Sequence, residues 1–185
     1  MRVIAGSLKG RRLKTPTWDG VRPTSDKLRE TLFNILAPRI AGARVVDAYA
    51  GTGAVGIEAL SRGARAVIFV EQDRRAQALI AGNLAHCGIT TGYDIVRTGA
   101  LRAFESFGDG AFDPFDLVVL DPPYETSDAE VTGVLAAAGE ALTPDGLAVL
   151  ERARRRPGPD AAGRLGRARD VVSGQSALTF YAVQR

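Results

Sequence analysis

Cysteine and histidine occur once each among the 185 residues. A single cysteine excludes an internal disulfide and is typical of a reducing compartment. With so few sulfur and imidazole ligands, the usual zinc sites cannot be assembled, and we predict no metal site. No apolar run approaches the roughly 20 residues that a membrane-spanning helix needs. The first residues also lack the apolar segment of a signal peptide, so we expect a cytoplasmic protein without a membrane partner.

Charge is distributed unevenly, although the net charge is only +3. Residues 1–30 carry eight Lys or Arg against three Asp or Glu, and residues 151–185 repeat that count. Residues 40–150 are acidic, with seven basic and fifteen acidic side chains. Basic ends around an acidic centre suggest a polyanion held at the edges of a catalytic domain. Solvated surface arginines would explain the C-terminal run equally well.

Short apolar runs alternate with helical segments from residue 43 onward, which predicts an α/β fold with a mostly parallel sheet and helices on both faces. Helices are predicted over 54–63, 74–88 and 128–142. We expect seven strands, the last two forming an antiparallel pair around Gly174: 43–50, 64–73, 93–99, 115–121, 146–152, 167–173 and 175–184.

The N-terminal part differs from the rest in pattern. Residues 2–14 read as a short basic hairpin with its turn near Lys9, and residues 22–37 as a helix capped by Thr24 or Ser25. We treat residues 1–38 as an appendage within a single domain whose main body is 39–185, because the length suits one core. The Arg-, Gly- and Pro-rich stretch 152–167 is predicted to be a loop.

A glycine motif lies between the first predicted strand and its helix, in "VVDAYAGTGAVG". Gly51, Gly53 and Gly56 permit a tight turn and close backbone approach by a ligand. Glu71 ends the next strand, where a carboxylate can accept both ribose hydroxyls of a nucleoside. The same glycines could serve helix–strand packing alone, but together with Glu71 they predict an adenosine-type ligand.

The residues before the glycines favour one nucleoside over another. Asp47 ends the strand, and three residues separate it from Gly51, whereas a dehydrogenase places its first glycine almost directly after the strand. A carboxylate there would repel a pyrophosphate but suits the ammonium of a methionine moiety, so we predict S-adenosylmethionine rather than NAD. Asp47 could instead bond the backbone of the glycine loop, or do both. Tyr49, Gln72 and the backbone at Ala100 are assigned to the same cofactor site.

The stretch "VVLDPPYE" begins as a buried strand and ends in Asp121-Pro122-Pro123-Tyr124. Proline cannot donate to a sheet ladder, so the strand stops there. An exocyclic amine is a poor nucleophile because its lone pair is conjugated into the ring, and acceptors for its two N–H groups assist attack. The Asp121 carboxylate and the Pro122 carbonyl can be those acceptors, Pro123 stiffens them, and Tyr124 can stack on an extruded base.

Together these motifs resemble the amino-methyltransferases with a [D/N/S]-P-P-[Y/F/W] signature. "RPTSDKLRETLFNIL", "DAYAGTGAVGIEALSRGA" and "DPPY" resemble, more closely, the 16S ribosomal RNA guanine-N2 methyltransferases of the RsmD family. The resemblance implies a class I, Rossmann-like methyltransferase that uses S-adenosylmethionine, with 16S ribosomal RNA or a small-subunit assembly particle as partner, acting as a monomer. It matches Asp121, Pro122 and Tyr124 to the base-holding motif, and Gly51, Gly53 and Glu71 to the cofactor site.

RNA contacts are predicted on the basic appendage, at Arg2, Lys9, Arg11, Arg12, Arg22, Thr24 and Arg29. Two features depart from the family pattern. After the third strand, "RTGALRAF" has Gly99-Ala100 where many relatives of this fold place an Asp or Asn against the adenine amine, leaving the backbone or Thr98 for that contact. The Arg-rich stretch 152–169 matches no pattern of the family.

Three other functions compete with guanine-N2 methylation. The same acceptor pair would serve an adenine-N6 methyltransferase on RNA or DNA. A protein glutamine methyltransferase would also use the motif, usually with Asn at the position of Asp121. A ribosome-assembly RNA-binding protein that retains an inactive enzyme fold is the alternative of a different class. An NAD-dependent dehydrogenase would leave the Asp-Pro-Pro-Tyr motif unexplained.

Overall fold

The structure, a computed structural model, describes residues 1–18 and 25–184, and it consists of helices alternating with strands. The helices are α1 (Asp26–Ile40), α2 (Ala54–Ser61), α3 (Arg74–Cys87), α4 (Ala100–Ser106) and α5 (Asp128–Glu140). The strands are β1 (Arg44–Ala48), β2 (Ala66–Val70), β3 (Tyr93–Val96), β4 (Phe115–Leu120), β5 (Leu142–Ala153), β6 (Ala161–Ala162), β7 (Leu165–Ser173) and β8 (Ser176–Val183). None of the described helices is long and apolar enough to cross a membrane.

All eight described strands form one sheet in the order β3-β2-β1-β4-β5-β8-β7-β6. Neighbours from β3 to β5 pair in parallel, and the last three strands add antiparallel pairs. Strand β1 is the first strand of the chain and lies in the middle of the parallel part of the sheet. From β1 the chain adds β2 and β3 on one side and then returns to add β4 and β5 on the other, so the direction of winding reverses at β1. The α/β class and the mostly parallel sheet are confirmed.

Alternation of side chains along the central strands builds an apolar layer on each face of the sheet. Val45 and Leu117 belong to the layer that also contains apolar residues of α1, α2 and α3. Val46 and Val118 belong to the opposite layer, with residues of α4 and α5. Strands buried on both faces read as continuous apolar runs, which is why the central strands were recognisable from sequence.

Local signals fix several helix ends. Ser25 caps α1, its hydroxyl accepting from the Leu28 amide at 3.2 Å. Asp73 caps α3 by accepting from the amides of Arg75 and Ala76, and the helix ends at Gly88, which has a φ of +73°. These side chains satisfy amides that an isolated helix end leaves without partners.

The N-terminal segment, residues 1–14, packs on α2 and α3. The predicted hairpin is present but short: its bridge joins Arg2 and Arg12, and backbone hydrogen bonds run from Val3 to Arg11 and from Gly10 to Val3, both at 2.9 Å. Buried Glu58 of α2 holds the segment: its carboxylate accepts from the amides of Ile4 at 2.7 Å and Ala5 at 3.0 Å. A short irregular segment can pack against the core in this way because its backbone donors find a buried acceptor.

Several predicted boundaries were wrong. The helix predicted over 22–37 runs from Asp26 to Ile40, and Thr24, the alternative cap, lies outside the described residues. An additional helix, α4, occupies a stretch to which no element was assigned, and an eighth strand, β6, lies within the predicted loop 152–167. The helix predicted to end at 142 stops at Glu140, because Leu142 already pairs with Phe115 in the sheet.

Gly56 lets α2 approach the sheet closely. A Cβ atom built on Gly56 would overlap the ring of Phe69 and lie 2.8 Å from Cγ1 of Val67, both on β2. The third glycine of the motif therefore serves helix–strand packing.

We expect Gly56→Ala to lower the free energy of unfolding by about 1–3 kcal/mol, because an added methyl group overpacks a closed interface. Urea denaturation would measure the loss. Gly133→Ala in α5 is the matched control: nothing lies within 4 Å of its Cβ position. It should leave stability unchanged or raise it by up to about 1 kcal/mol through helix propensity. Equal effects of the two substitutions would contradict the packing role of Gly56.

Candidate active site at the carboxyl edge of the sheet

The carboxyl ends of β1, β2 and β4 meet at one edge of the sheet. Ala48, the last residue of β1, is in register with Val70 of β2 and Leu120 of β4. The amide of Asp121 donates to the Ala48 carbonyl at 3.4 Å, so the loops after β1 and β4 leave the sheet side by side. This is the point of reversal in the strand order, where open α/β sheets bind ligands.

Side chains from β1 and from the loop after β2 bond the backbone of the glycine loop, residues 49–53, and of the first turn of α2 that follows it. Asp47 accepts from the Gly56 amide at 2.8 Å, and Glu71 accepts from the Gly51 amide at 2.9 Å. Tyr49, Gly51 and Gly53 all have positive φ, at 62°, 54° and 74°. Tyr49 is the only described non-glycine residue in that conformation, so the chain turns sharply directly after β1. Of the two roles considered for Asp47, bonding of the loop backbone is confirmed.

Three carboxylates share this edge, and they act on one another. Asp47 is 3% exposed, and its pKa is raised from 3.8 to about 8, mainly by burial and further by the negative charges of Asp121 and Glu71. The Gly56 hydrogen bond and the Arg29 charge oppose the rise. Within the described residues, no cluster of His, Cys, Asp or Glu could hold a metal ion.

A cavity of about 380 Å³ opens beside the glycine loop. Three of the predicted cofactor residues, Tyr49, Gln72 and Ala100, line it together. Burial raises the pKa of Tyr49 to about 12, and the charge of Glu130 adds to the rise. Gly99, in the stretch whose backbone was considered for the adenine contact, also lines the cavity. Sequence reasoning missed the remaining lining residues, since they lie on α4 and α5: Leu101, Arg102, Glu105 and Glu130.

This edge fits a cationic nucleoside better than a dinucleotide. The ammonium and sulfonium of S-adenosylmethionine would be attracted by the negative charges of Glu71 and Asp121, whereas a pyrophosphate would be repelled. Glu71 also accepts from the Asp73 amide at 2.8 Å, so its carboxylate is already oriented by two backbone donors. The negative charge and the hydrogen-bond acceptors at this edge therefore favour the predicted cofactor over a dinucleotide.

The Asp-Pro-Pro-Tyr motif begins one residue after β4 ends. Pro122 is buried, whereas Pro123 and Tyr124 are exposed, with 40% of Tyr124 accessible. The Thr126 amide donates to the Pro123 carbonyl at 3.0 Å and closes a turn after the prolines. The structure thus brings all four predicted catalytic residues to the edge that carries the glycine loop.

The predicted RNA-binding residues separate into distinct groups. Arg2, Lys9, Arg11 and Arg12 are exposed and form no ion pair with any described residue. Arg22 and Thr24 lie outside the described residues.

Arg29 does not belong with the surface arginines, and its prediction as an RNA contact needs correction. Its side chain is 0% exposed and donates to the Arg2 carbonyl at 2.5 Å and to Asp26 at 2.9 Å. Burial lowers the pKa of Arg29, while Asp26 and Glu58 favour its charged form. Its helix face packs toward the core, so the guanidinium fastens the N-terminal segment instead of reaching solvent.

Comparison with known proteins gives consistent matches over almost the whole chain. The sequence model of a family described as "Conserved hypothetical protein 95" matches residues 1–182. The chain is 36% identical to "Putative rRNA methyltransferase YlbH" of Bacillus subtilis, covering 98% of both chains. It is 34% identical to "Ribosomal RNA small subunit methyltransferase D" of Escherichia coli, covering 98% of this chain and 89% of the relative. A solved hypothetical protein of Thermus thermophilus superimposes with a TM-score of 0.84 at 30% identity, covering 99% of both chains.

The raised pKa of Asp47 predicts a specific dependence of stability on pH. Between pH 4 and about 8 the folded chain keeps a proton on Asp47 that the unfolded chain releases. The free energy of unfolding should therefore fall as pH rises through this window. Asp47→Asn keeps an acceptor oxygen but cannot ionise, so its stability advantage should grow toward pH 8, to about 1 kcal/mol or more.

Urea denaturation at several pH values would test this expectation. Asp94→Asn on the exposed face of β3 is the control for loss of one surface carboxylate. Parallel stability profiles of wild type and Asp47→Asn would show that Asp47 does not titrate in this window.

Proposed function

This chain belongs to the RsmD family of methyltransferases, and we propose that it transfers a methyl group from S-adenosylmethionine to the exocyclic N2 amine of one guanine in 16S ribosomal RNA. The observation that carries the proposal is the position of Asp121-Pro122-Pro123-Tyr124 directly after β4, beside the glycine loop that follows β1. The substrate is the RNA itself or a small-subunit assembly particle. Its relatives' names, which refer to ribosomal RNA, support this substrate class.

Acceptor groups at this position address the main difficulty of the reaction. The lone pair of a guanine N2 amine is delocalised into the ring, so the nitrogen must pyramidalise before it attacks. The Asp121 carboxylate and the Pro122 carbonyl hold its two N–H groups and favour that geometry. Transfer leaves a cationic, methylated nitrogen that still carries its two protons, one of which is now acidic and is lost without a strong base.

Rigidity of the acceptors keeps the reacting groups aligned. Pro122 is buried against the domain, and two consecutive prolines fix φ at both positions. The acceptors are then positioned before the base arrives, which lowers the entropic cost of reaching the reactive arrangement. Tyr124, exposed next to them, offers a face on which an extruded guanine stacks.

Residues around the glycine loop would hold the cofactor. Glu71 would accept the ribose hydroxyls, Asp47 would face the methionine ammonium, and the loop glycines would allow close approach of the backbone. Tyr49, Gln72 and the backbone at Ala100, which line the neighbouring cavity, would contact the adenosine part. S-adenosylmethionine supplies the electrophilic methyl group when it is bound.

The exposed basic residues of the N-terminal segment provide a second contact with the RNA. Arg2, Lys9, Arg11 and Arg12 are on the same segment, which Glu58 ties to α2, the helix that begins at the glycine loop. Positive charge fastened to the catalytic domain in this way can bind phosphates next to the target base.

Replacement of Asp121 tests the mechanism. We expect Asp121→Ala to lower the single-turnover rate by about 10²–10³, by analogy with the loss of one preorganised transition-state contact. Cofactor affinity, measured by calorimetry, should fall far less than the rate, because Asp121 contributes only part of the charge that attracts the cation. Asp121→Asn keeps one acceptor oxygen and should retain appreciable activity. Both substitutions remove the same negative charge from the neighbourhood of Asp47, so the difference between them reports the acceptor alone.

The substrate for this experiment is small-subunit RNA from a strain that lacks the enzyme, with the modified nucleoside identified by mass spectrometry. Wild-type rates in Asp121→Ala would overturn the mechanism. Methylation of adenine N6 would favour the alternative that uses the same acceptors. No transfer by the wild-type protein to naked RNA or to assembly particles would favour an RNA-binding protein without catalysis.

RNA affinity should fall steeply with salt concentration. If Arg2 and Arg12 neutralise phosphates, Arg2→Ala and Arg12→Ala should each flatten the plot of log affinity against log salt by about one unit. Arg65→Ala is the matched control, because Arg65 is exposed at the opposite end of β2 from Glu71. A slope that changes equally in all three variants would assign the effect to net charge rather than to this segment.

A further inference from the structure

The Arg-rich stretch after β5 reaches the loop that contains the candidate catalytic motif. Strand β5 passes the end of β4 by three residues, since Leu150 is the partner of Leu120 and β5 continues to Ala153. Over this extension β5 remains paired with β8, including Arg152 with Ala177. The chain then turns, with the Arg156 amide donating to the Ala153 carbonyl at 2.8 Å. Arg152 and Arg156 are thereby brought beside residues 121–128, the motif loop.

Arg152 and Arg156, the arginine pair, bind three groups of the motif loop. Arg156 donates to the Tyr124 carbonyl at 2.6 Å, to the Thr126 carbonyl at 3.4 Å and to Asp128 at 2.9 Å. Arg152, only 6% exposed, donates to the same Asp128 oxygen at 2.7 Å and to the Thr126 carbonyl at 3.2 Å. Five hydrogen bonds from two guanidinium groups therefore end on residues 124–128.

We propose that Arg152 and Arg156 are positioning residues that hold the backbone of Tyr124 and Thr126, and so present the Tyr124 ring and the motif acceptors to the target base. The proposal rests on the function proposed above for the motif. It assigns a structural purpose to the two arginines of this stretch that face the loop. Arg154 and Arg155, between them in sequence, are exposed.

The sequence of the motif explains why additional hydrogen bonds are needed to fix the backbone at Tyr124. The prolines fix the backbone at residues 122 and 123, but Tyr124 has no such restriction and 40% of it is exposed. A guanidinium can bond several acceptors in a fixed planar arrangement, which the single ammonium of a lysine cannot reproduce. The hydrogen bonds of both arginines also lower the pKa of Asp128, which keeps this shared acceptor ionised.

Partly exposed ion pairs contribute little to global stability. Asp128 is 75% exposed and Arg156 is 41% exposed, so we assign the pair to local order in the loop. This distinguishes a positioning role from a general structural one. Loss of Arg156 should change the motif loop without changing the melting temperature appreciably.

Hydrogen exchange on the full chain tests the positioning directly and needs no substrate. In Arg156→Ala, the Thr126 amide, which donates to the Pro123 carbonyl, should exchange at least about tenfold faster, while the amides of β4 and of α5 beyond its first turn stay unchanged. Arg155→Ala is the matched control: it removes the same charge from the neighbouring position and should leave the loop unchanged. Arg156→Lys keeps the charge and should still show faster exchange.

Kinetics then connect the loop to the reaction. Arg156→Ala should lower kcat/KM for RNA by about ten- to a hundredfold, because small misplacements of reacting groups are costly, with cofactor affinity unchanged. A decrease in kcat/KM that Arg155→Ala shows as well is due to the lost positive charge. Any further decrease in Arg156→Ala is due to the lost positioning of the loop. Asp128→Ala, which removes the acceptor common to both arginines, should give a smaller effect in the same direction.

The outcomes separate this proposal from the proposed function. Unchanged loop exchange in Arg156→Ala and Asp128→Ala would overturn the positioning role even if the wild type methylates RNA. Wild-type behaviour of Arg156→Lys in both measurements would also overturn it, because charge would then suffice. Faster loop exchange together with an inactive wild type would support the positioning of the loop and contradict the proposed reaction instead.

Discussion

Parallel pairing of β1 with both β2 and β4 is the constraint on which the site depends. It brings the ends of three strands to one edge, and the register of Ala48 with Leu120 makes the glycine loop and the motif loop direct neighbours. Neither loop forms the site alone. Asp47 precedes the glycine loop, and Asp121 precedes the two prolines of the motif loop. Their juxtaposition creates an edge that attracts a cation and offers acceptors to an amine.

Burial at this edge has an electrostatic consequence. Asp47 is enclosed by the domain, and Glu71 and Asp121 raise its pKa further, so without a ligand it keeps its proton below about pH 8. A cationic ligand beside Asp47 would favour the ionised form and lower that pKa, so its binding would be coupled to the release of a proton. Asp47 and Glu71 also bond backbone amides of the glycine motif, so the same side chains shape this turn and influence its charge.

Much of the fold could be predicted because the central strands are apolar on both faces and their helices end at recognisable signals. The helix α4 was missed, although Ala100, Ala103, Phe104 and Phe107 recur at helical spacing, because a seven-residue helix gives too short a pattern. The strand β6 has two residues and no intrinsic signal. It exists because β7 offers it an edge.

For the site, the sequence by itself determined which residue types end β1, β2 and β4, and hence the glycine loop, Glu71 and the Asp-Pro-Pro-Tyr motif. The alternation of strands and helices predicts a doubly wound sheet, in which the ends of such strands meet at one edge. Only the tertiary structure decided where three arginine side chains lie: Arg29 is buried, and Arg152 and Arg156 bind the motif loop. An arginine has the same charge wherever it lies, and its partner 28 or 32 residues away in sequence is chosen by packing.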